Sequence, residues 1–264
     1  MKALQLSRIL FGGAAMFFLL APLAAILPLA FTDSVFLNYP MPGYSTRWFS
    51  ELVTAEVWRR SIVNSLIIGS GTTLLATVLG TLGALGLRGR TSSYLFAFVR
   101  TAFLIPMVVP AVVLGVGMQL MFARYNLANS YVGVIIAHTV IAVPFVVINV
   151  LAVLQSIDPR LEQAAASLGA APHTVLARVT LPLALPGIVS GAVFAFATSL
   201  DEVVLTLFVA GPNQRTLARQ MFSSIRENIS PAIAAAAFVF IVGTILVALV
   251  LNLSRKSLGK RPAA

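Results

Sequence analysis

The sequence predicts an all-α protein that crosses a lipid bilayer six times. Apolar residues make up 59% of the 264-residue chain, charged residues make up only 10%, and the mean hydropathy is +0.96. These values exclude an ordinary soluble domain. Each of the six apolar runs is long enough to cross a bilayer as a helix, which takes about 20 residues. No shift in composition marks a second domain, so we predict one membrane domain over residues 1–264.

What the chain lacks argues against several kinds of chemistry. It has no cysteine, so neither a disulfide framework nor a thiolate metal site exists. It has only two histidines, and neither the HExxH pattern of zinc proteases nor an ATP-binding P-loop pattern occurs. We therefore predict no catalytic residue, no metal site and no cofactor bound by this chain.

The net charge of +10 is explained by the placement of the Lys and Arg residues. Eleven of the 18 fall at span ends and loops on one side of the predicted bilayer, and seven fall on the other. Positive charge accumulates on the cytoplasmic side of membrane proteins. We therefore predict a multi-pass protein with both termini in the cytoplasm, and we do not expect nucleic-acid binding.

The first predicted span is Ile9–Phe31, which follows a short basic head. This run is longer than the apolar core of a signal peptide, about 7–15 residues, so we predict a retained helix. Residues 32–60 then form a polar segment on the outer side, with two proline-containing turns. A short helix is predicted over Trp48–Val57 of this segment.

The second span, Ile62–Leu87, carries three glycines that favour close helix packing, namely Gly80, Gly83 and Gly86. A short basic loop, residues 88–93, separates this span from the third, Tyr94–Phe122. Pro106 and Pro110 predict a break or a kink in the third span, because proline lacks the N–H that a helix needs and its ring clashes with the preceding turn.

The remaining predicted spans are Ser130–Leu154, Leu183–Val209 and Ala232–Leu253. They are separated by a cytoplasmic loop, residues 155–180, and by an outer segment of alternating charge, residues 211–231. The basic tail, Ser254–Ala264, is predicted to be disordered. Inside the fourth span, His138 is predicted to join helices by hydrogen bonds rather than to relay protons. The same joining role is predicted for three amides, Asn64, Gln119 and Asn149.

The cytoplasmic loop 155–180 is polar and rich in alanine, unlike the spans beside it. Asp158 is placed to cap a helix that starts with proline, and Gly169 is placed to end that helix in a left-handed conformation. Pro172 then opens a second short helix that runs to Pro182. Two such helices on the inner face form a docking surface for another protein. An amphipathic loop lying on the membrane is the alternative.

Residues 158–188 resemble the EAA loop of permease subunits in bacterial binding-protein-dependent ABC importers. The match rests on small and turn-forming residues at the spacing of that family, namely Ala164-Ala165, Leu168-Gly169, Leu181-Pro182 and Pro186-Gly187. Later segments resemble the spermidine/putrescine permease branch, and most of all its second membrane subunit. These segments are Ser199-Leu200-Asp201-Glu202-Val203-Val204, Gly211-Pro212 and Ile229-Ser230-Pro231.

The resemblance implies the transmembrane domain of a type I importer, with the MetI-like fold, in a bacterial inner membrane. It implies that the loop couples the chain to an ATPase through six residues, Glu162, Gln163, Ala164, Ala165, Leu168 and Gly169. The implied partners are a second permease subunit in a heterodimer, two ATP-binding subunits that hold ATP and Mg, and a periplasmic or lipid-anchored binding protein.

One residue of the loop departs from the family pattern. Gln163 stands where the family has Glu, and Glu162 lies about 100° away from that position on a helix. A charge-assisted contact to the ATPase therefore becomes a neutral hydrogen bond, weaker by roughly a factor of two. We expect coupling to survive this change.

Two adjacent carboxylates, Asp201 and Glu202, lie in the otherwise apolar fifth span. An ionisable group inside a span is costly unless it faces protein or water, and it marks a functional site. Because neighbouring helical residues diverge by about 100°, we predict that Asp201 faces the substrate pathway while Glu202 orients or pairs. Thr198 and Ser199 are predicted to line the same pathway. A structural ion pair or hydrogen bond to a neighbouring helix is the alternative.

The predicted function is uptake of polyamines or a related small amine, by alternating access coupled to a partner ATPase. Ammonium groups stripped of water need carboxylates or carbonyls, and aromatic faces favour them. Amino-acid-like molecules and organophosphonates are alternative cargoes. Two other classes of function stay open at this point. One is an ion-coupled secondary transporter that uses Asp201, Glu202 and His138, and the other is a structural membrane subunit without a transport path.

Overall fold

The computed structural model describes residues 2–88, 94–227 and 229–258. Within these ranges the regular structure is helical, apart from one isolated antiparallel bridge between Thr32 and Tyr44. The α-helices are α1 Lys2–Ile26, α2 Arg47–Thr54, α3 Glu56–Leu87, α4 Tyr94–Val108, α5 Ala111–Arg124, α6 Tyr131–Ser156, α7 Pro159–Ser167, α8 Pro172–Val175, α9 Leu181–Asp201, α10 Val204–Val209, α11 Leu217–Glu227 and α12 Ala232–Leu258. Short 3-10 turns cover Leu27–Phe31 and Pro212–Gln214, and a π turn covers Leu176–Thr180.

Four helical runs in the described residues are long and apolar enough to cross a bilayer, namely Ser7–Phe31, Glu56–Leu87, Tyr131–Ser156 and Pro172–Asp201. A fifth crossing results if α4 and α5 count together as one broken span. The first part of α12, Ala232–Leu246, is a shorter apolar helix. The chain is therefore an all-helical membrane protein with four or five long apolar spans, and each lies where the sequence predicts one.

The third predicted span is broken rather than continuous. Its two helices, α4 and α5, meet at an angle of 102° across residues 109–110. Pro110 has an extended backbone immediately before α5, and it has no N–H to continue a helix. Pro106 lies inside α4 without ending it. Of the two prolines that the sequence singles out, Pro110 is therefore the one at the break.

The fifth predicted span, Leu183–Val209, differs from the structure at both ends. The helical run begins earlier, at Pro172, because α8 continues through the π turn into α9. At the other end α9 stops at Asp201, the backbone of Glu202 is extended, and the short helix α10 follows. The apolar pattern continues through this break, so the pattern alone predicts one uninterrupted helix.

The described residues form two compact units. In the described residues, one unit contains residues 2–59, 221–227 and 229–258, and the other contains residues 60–88 and 94–220. The second unit is built around α6, which packs along α9 and buries Val146, Val150 and Leu154. This unit contains the 155–180 loop and the break after α9.

Close packing on α6 depends on glycines of α3 and α9 that meet Val146. A Cβ atom on Gly80 would lie 2.5 Å from the Cβ of Val146, and one on Gly191 would lie 2.9 Å from its Cα. A Cβ on Gly83 would lie 2.9 Å from an aromatic ring of α4. The predicted close packing is confirmed for Gly80 and Gly83. It is wrong for Gly86, which has open space beside it.

We expect Gly191→Ala to lower the thermal stability of the protein, because the added methyl group would meet the backbone of α6. Overpacking of this kind costs about 1–3 kcal/mol. Gly86→Ala is the matched control, since the new methyl group meets nothing and Ala is favoured over Gly in helices by up to ~1 kcal/mol. Thermal unfolding of both variants in one detergent measures the difference. Equal melting temperatures would contradict the packing described here.

The first unit contains α1, α2 and α12. Helix α2 buries Trp48 and Leu52, and the indole N–H of Trp48 donates to the carbonyl of Thr32 at 2.9 Å. Three rings pack around the end of the first span with centroids 5.0–5.6 Å apart, those of Phe31, Phe49 and Phe238. These contacts fix the segment that follows the first span.

Two boundaries in the first unit differ from the sequence predictions. The helix predicted over Trp48–Val57 is present as α2, but it ends at Thr54, and α3 begins at Glu56. Helix α12 continues to Leu258, so the first five residues of the predicted tail, Ser254–Leu258, are helical. The rest of the tail lies outside the described residues.

Candidate functional site

Helix α7 is closed at both ends by local hydrogen bonds, as its sequence predicts. The side chain of Asp158 accepts from the backbone N–H two residues later at 2.9 Å, with proline at the first helical position. At the other end, Gly169 has φ +85°. Its N–H donates to the carbonyl of Ala166 at 2.9 Å, and the next N–H donates to Ala165 at 3.1 Å. This pattern is a Schellman motif, which gives the loop a defined shape.

Five of the six predicted coupling residues lie on the surface of this loop. The side chain of Leu168 is 90% exposed, and Gln163, Ala164 and Gly169 are exposed as well. Ala165 is half-buried. A Cβ atom on Gly169 would meet nothing within 4 Å. The surface thus presents two exposed leucines, Leu161 and Leu168, among small residues, which leaves room for another protein to approach closely.

The sixth predicted coupling residue, Glu162, turns into the protein. Its carboxylate accepts hydrogen bonds from the guanidinium of Arg88, at the end of α3, and from the hydroxyl of Thr180, in the π turn before α9. Partial burial raises the pKa of Glu162, but the hydrogen bonds from Thr180 and Arg88 and the charge of Arg88 outweigh it and hold this pKa below its usual value. Glu162 therefore joins α7 to α3 and α9 as a charged group.

The second half of the loop is continuous with α9. The N–H of Leu181 donates to the carbonyl of Leu176, five residues back, as in a π-helix. The wider turn just before Pro182 keeps the proline ring away from the carbonyl that it would meet in an α-helix. The prediction that a separate short helix ends at Pro182 is therefore wrong, because the segment from Pro172 onward forms one helical run with α9.

The break after α9 is held by charged side chains at both ends of α10. The carboxylate of Glu202 accepts from the N–H of Leu205 at 2.7 Å and caps the start of α10. The guanidinium of Arg219 donates to the carbonyls of Thr206 and Ala210, at 3.1 and 2.7 Å, at its end. A negative group at the start of a helix and a positive group at its end both stabilise it.

A buried histidine ties this break to α6. The Nδ1 atom of His138 lies 2.8 Å from the hydroxyl of Ser199, and its Nε2 atom lies 3.0 Å from the hydroxyl of Thr206. The Thr206 hydroxyl also donates to the carbonyl of Glu202 at 3.0 Å, so the imidazole of His138 is hydrogen-bonded on both sides of the break. The prediction that His138 joins helices by hydrogen bonds is confirmed.

The four predicted pathway residues have different surroundings. Ser199 is buried and bonded to His138, and Glu202 is half-buried and caps α10. Asp201, the last residue of α9, is exposed, and no hydrogen bond or ion pair to it occurs within the described residues. Thr198 is half-buried. Of these side chains, Asp201 is the one with a free charge on the surface.

The three amides predicted to join helices also differ. The Oδ1 atom of Asn64 in α3 accepts from the phenol of Tyr131 in α6 at 2.7 Å, so its role in joining helices is confirmed. Asn149 donates to a carbonyl of its own helix at 2.8 Å. The Oε1 atom of Gln119 is buried without a hydrogen-bond partner among the described residues. The prediction is wrong for these two.

Sequence reasoning missed Arg88, Thr180 and Arg219 as functional partners. From the sequence, Arg88 was identified only as one of the positive charges that indicate topology. Arg88 is 74 residues away from Glu162 in the sequence. Thr180 directly precedes the Leu181-Pro182 pair of the family match, but no role was predicted for its hydroxyl. Arg219 lies in the outer segment of alternating charge. No local pattern links any of the three to its acceptor, so only the packed structure identifies them.

Residues 76–263 match the family model described as binding-protein-dependent transport system inner membrane component. The putrescine transport system permease protein PotI of Escherichia coli K12 is 34% identical over 230 residues, covering 83% of this chain and 80% of PotI. The molybdenum transport system permease protein ModB of Mycobacterium bovis is 32% identical, covering 83% of this chain and 89% of ModB.

The fold is also similar to solved structures. A chain of the bacterial alginate ABC transporter, crystallised in complex with an alginate pentasaccharide-bound periplasmic protein, superposes with a TM-score of 0.75 at 20% identity. The superposition covers 99% of this chain and 97% of that one. The chain therefore belongs to the family of binding-protein-dependent transport system inner membrane components, as the non-catalytic permease subunit of an ABC importer.

Proposed function

We propose that this chain is one of two permease subunits of a type I importer for polyamines or a related small amine. In this proposal it crosses the inner membrane six times, with both termini in the cytoplasm. It pairs with a second permease, two ATP-binding subunits and a periplasmic or lipid-anchored binding protein. The proposal rests on the two sides of α7. Its exposed side contains the predicted coupling residues, and its inner side forms hydrogen bonds to two spans.

The coupling mechanism follows from the two sides of α7. Leu168, Gly169 and the exposed alanines contact the ATP-binding subunit, and Gln163 gives a neutral hydrogen bond there. Glu162 faces the other way and carries the movement of α7 to α3 through Arg88 and to α9 through Thr180. ATP binding and hydrolysis in the partner then tilt these spans between outward-open and inward-open states. ATP, Mg and metal ions do not bind this chain.

Asp201 is the residue that we propose to guide the cargo. It is exposed at the end of α9 next to a break that is fixed by Glu202 and His138. A free carboxylate at such a position favours a cation over an anion. The name of PotI as a putrescine permease fits a cationic cargo, and the name of ModB shows that related permeases serve other cargoes. The free charge on Asp201 favours the polyamine.

Asp201→Asn is expected to raise the KM of putrescine uptake by roughly tenfold, because one charge contact worth about 1.4 kcal/mol is lost. Stimulation of the ATPase by the loaded binding protein should change little, since the coupling loop is untouched. Asp201→Glu, which keeps the charge, is the matched control. Uptake assays with reconstituted transporter measure both variants. An unchanged KM in Asp201→Asn would show that this carboxylate does not contact the cargo on the proposed pathway.

The function itself is tested in proteoliposomes that contain this chain and its companion subunits. Uptake of labelled putrescine should require ATP on the cytoplasmic side and the binding protein on the other. Uptake by this chain alone, driven by a proton or sodium gradient without ATP, would instead establish a secondary transporter. If an amino acid or an organophosphonate competes for uptake and spermidine does not, the protein is still an ABC importer but its cargo is not a polyamine.

A further inference from the structure

A closed loop follows the first span, formed by residues 32–45. The antiparallel bridge between Thr32 and Tyr44 closes it, with backbone hydrogen bonds from Asp33 to Gly43 at 3.0 Å and from Ser45 to Phe31 at 2.7 Å. At its base the side chain of Arg47 donates to the carbonyl of Asp33 at 2.6 Å. These contacts make the loop a defined structure of fixed orientation.

The tip of this loop folds back along the first span. The phenol of Tyr39 donates to the carbonyl of Ala25 at 2.7 Å. Pro28, three residues later, has no N–H to give to that carbonyl in the 3-10 turn that ends the span. Ala25 lies six residues before Phe31, the last residue of the span, which corresponds to about 9–12 Å along a run that ends in a 3-10 turn. The loop tip therefore lies beside the apolar span and not beyond its end.

The composition of the tip differs from that of an ordinary surface loop. Residues 34–43 contain no Lys, Arg, Asp or Glu. The side chains of Val35, Phe36 and Tyr39 are 55%, 67% and 55% exposed. Leu23 and Ile26, which flank Ala25 in the first span, are exposed as well, so the tip contacts the span in a region of exposed apolar side chains.

We propose that the tip of this loop, residues 34–43, inserts into the boundary between lipid headgroups and acyl chains beside α1. Segments that lie in this boundary bury their apolar side about 5–10 Å deep, which is close to the depth given by the contact between Tyr39 and Ala25. Tyrosine is favoured at this level because its ring is apolar and its hydroxyl is polar. The charged pair Asp33 and Arg47 at the loop base stays on the aqueous side.

Site-directed spin labelling tests this proposal directly, because the chain contains no native cysteine. Phe36→Cys is labelled with a nitroxide in the assembled transporter, with cysteine-free companion subunits, in lipid nanodiscs. Val35→Cys is a second label site on the same tip. Ser50→Cys, on the exposed side of α2, is the control. The accessibility of each label to oxygen and to a water-soluble nickel chelate is measured by power saturation.

We expect labels at positions 35 and 36 to be reached well by oxygen and poorly by nickel, and the label at position 50 to show the opposite. High nickel accessibility at 35 and 36 would place the tip in water and overturn the proposal. Low accessibility to both reagents would also overturn it, since the tip would then be covered by protein. Neither result would bear on ATP-driven uptake, so the outcome is independent of the proposed function.

Discussion

Gly169→Asp is expected to reduce ATP-driven uptake by at least roughly tenfold while leaving the chain folded. The position has open space within this chain, so the new side chain clashes with nothing inside it. Its φ of +85° makes any side chain strained, at a cost of about 1–2 kcal/mol, but Asp is among the residues that tolerate this conformation best. The large effect comes from the proposed contact, where a buried carboxylate without a partner costs several kcal/mol. Uptake and ATPase activity of the reconstituted transporter measure it.

Gly169→Asn is the matched control for this substitution. Asn has nearly the same size as Asp and the same tolerance of positive φ, but it carries no charge. We expect the Asn variant to retain more uptake than the Asp variant at equal amounts of assembled protein. If the Asp variant transports within about twofold of the parent, α7 does not dock at this residue and the coupling assignment is wrong.

Glu162→Ala is expected to uncouple the transporter, with ATPase activity retained and uptake lost. The substitution leaves the exposed surface of α7 intact, but it removes the acceptor for Arg88 and Thr180. Hydrogen bonds to charged groups contribute about 1.5–3 kcal/mol each, so the loss corresponds to at least roughly tenfold in coupling. The ratio of cargo molecules taken up to ATP hydrolysed is the quantity to measure.

A double-mutant cycle with Arg88→Ala separates this link from general damage. If Glu162 and Arg88 act together, the double variant should be little worse than either single variant. Arg100→Ala, which removes an exposed arginine of α4, controls for the loss of positive charge. Additive losses for Glu162 and Arg88 would show that the two residues do not act through each other.

The ion pair also predicts a pH dependence. Because the pKa of Glu162 is held below its usual value, the link stabilises the protein at pH values above the usual carboxyl pKa. This stabilisation is lost as the pH falls through the lowered pKa. The stability difference between the parent and the Ala variant should therefore shrink on acidification.

Much of the 155–180 loop was accessible to sequence reasoning, because its signals are local. Capping by Asp158 and termination at Gly169 each depend on residues within a few positions of one another, and both predictions are confirmed. The sequence did not show which side of α7 bonds to the rest of the protein. A helix with carboxylate, amide and small side chains has no strong apolar face, so its sequence does not indicate that Glu162 turns inward.

The two breaks in the spans, at Pro110 and at Glu202, show the same limit of sequence-based prediction. The break at Pro110 was predictable as a break or a kink, because proline acts on its own backbone. The break at Glu202 carries no such signal, since Val, Leu and Thr follow it as they would in a continuous helix. It is fixed instead by the side chain of Glu202 within the break and by contacts of His138 from α6 and Arg219 from α11.

The sequence by itself determined that this protein is a helical membrane protein, roughly where its spans lie, and that the 155–180 loop holds a helix capped at both ends. These properties depend on apolar length and on caps formed by near neighbours, which a linear pattern contains. Only the tertiary structure decided that Glu162 bonds to Arg88 and Thr180. It also decided that Ser199 is hydrogen-bonded to His138 while Asp201 is exposed. The position of the tip of the 32–45 loop beside α1 likewise depends on the tertiary structure. Hydrogen bonds and ion pairs between distant residues depend on which helices pack together, and no single segment carries that information.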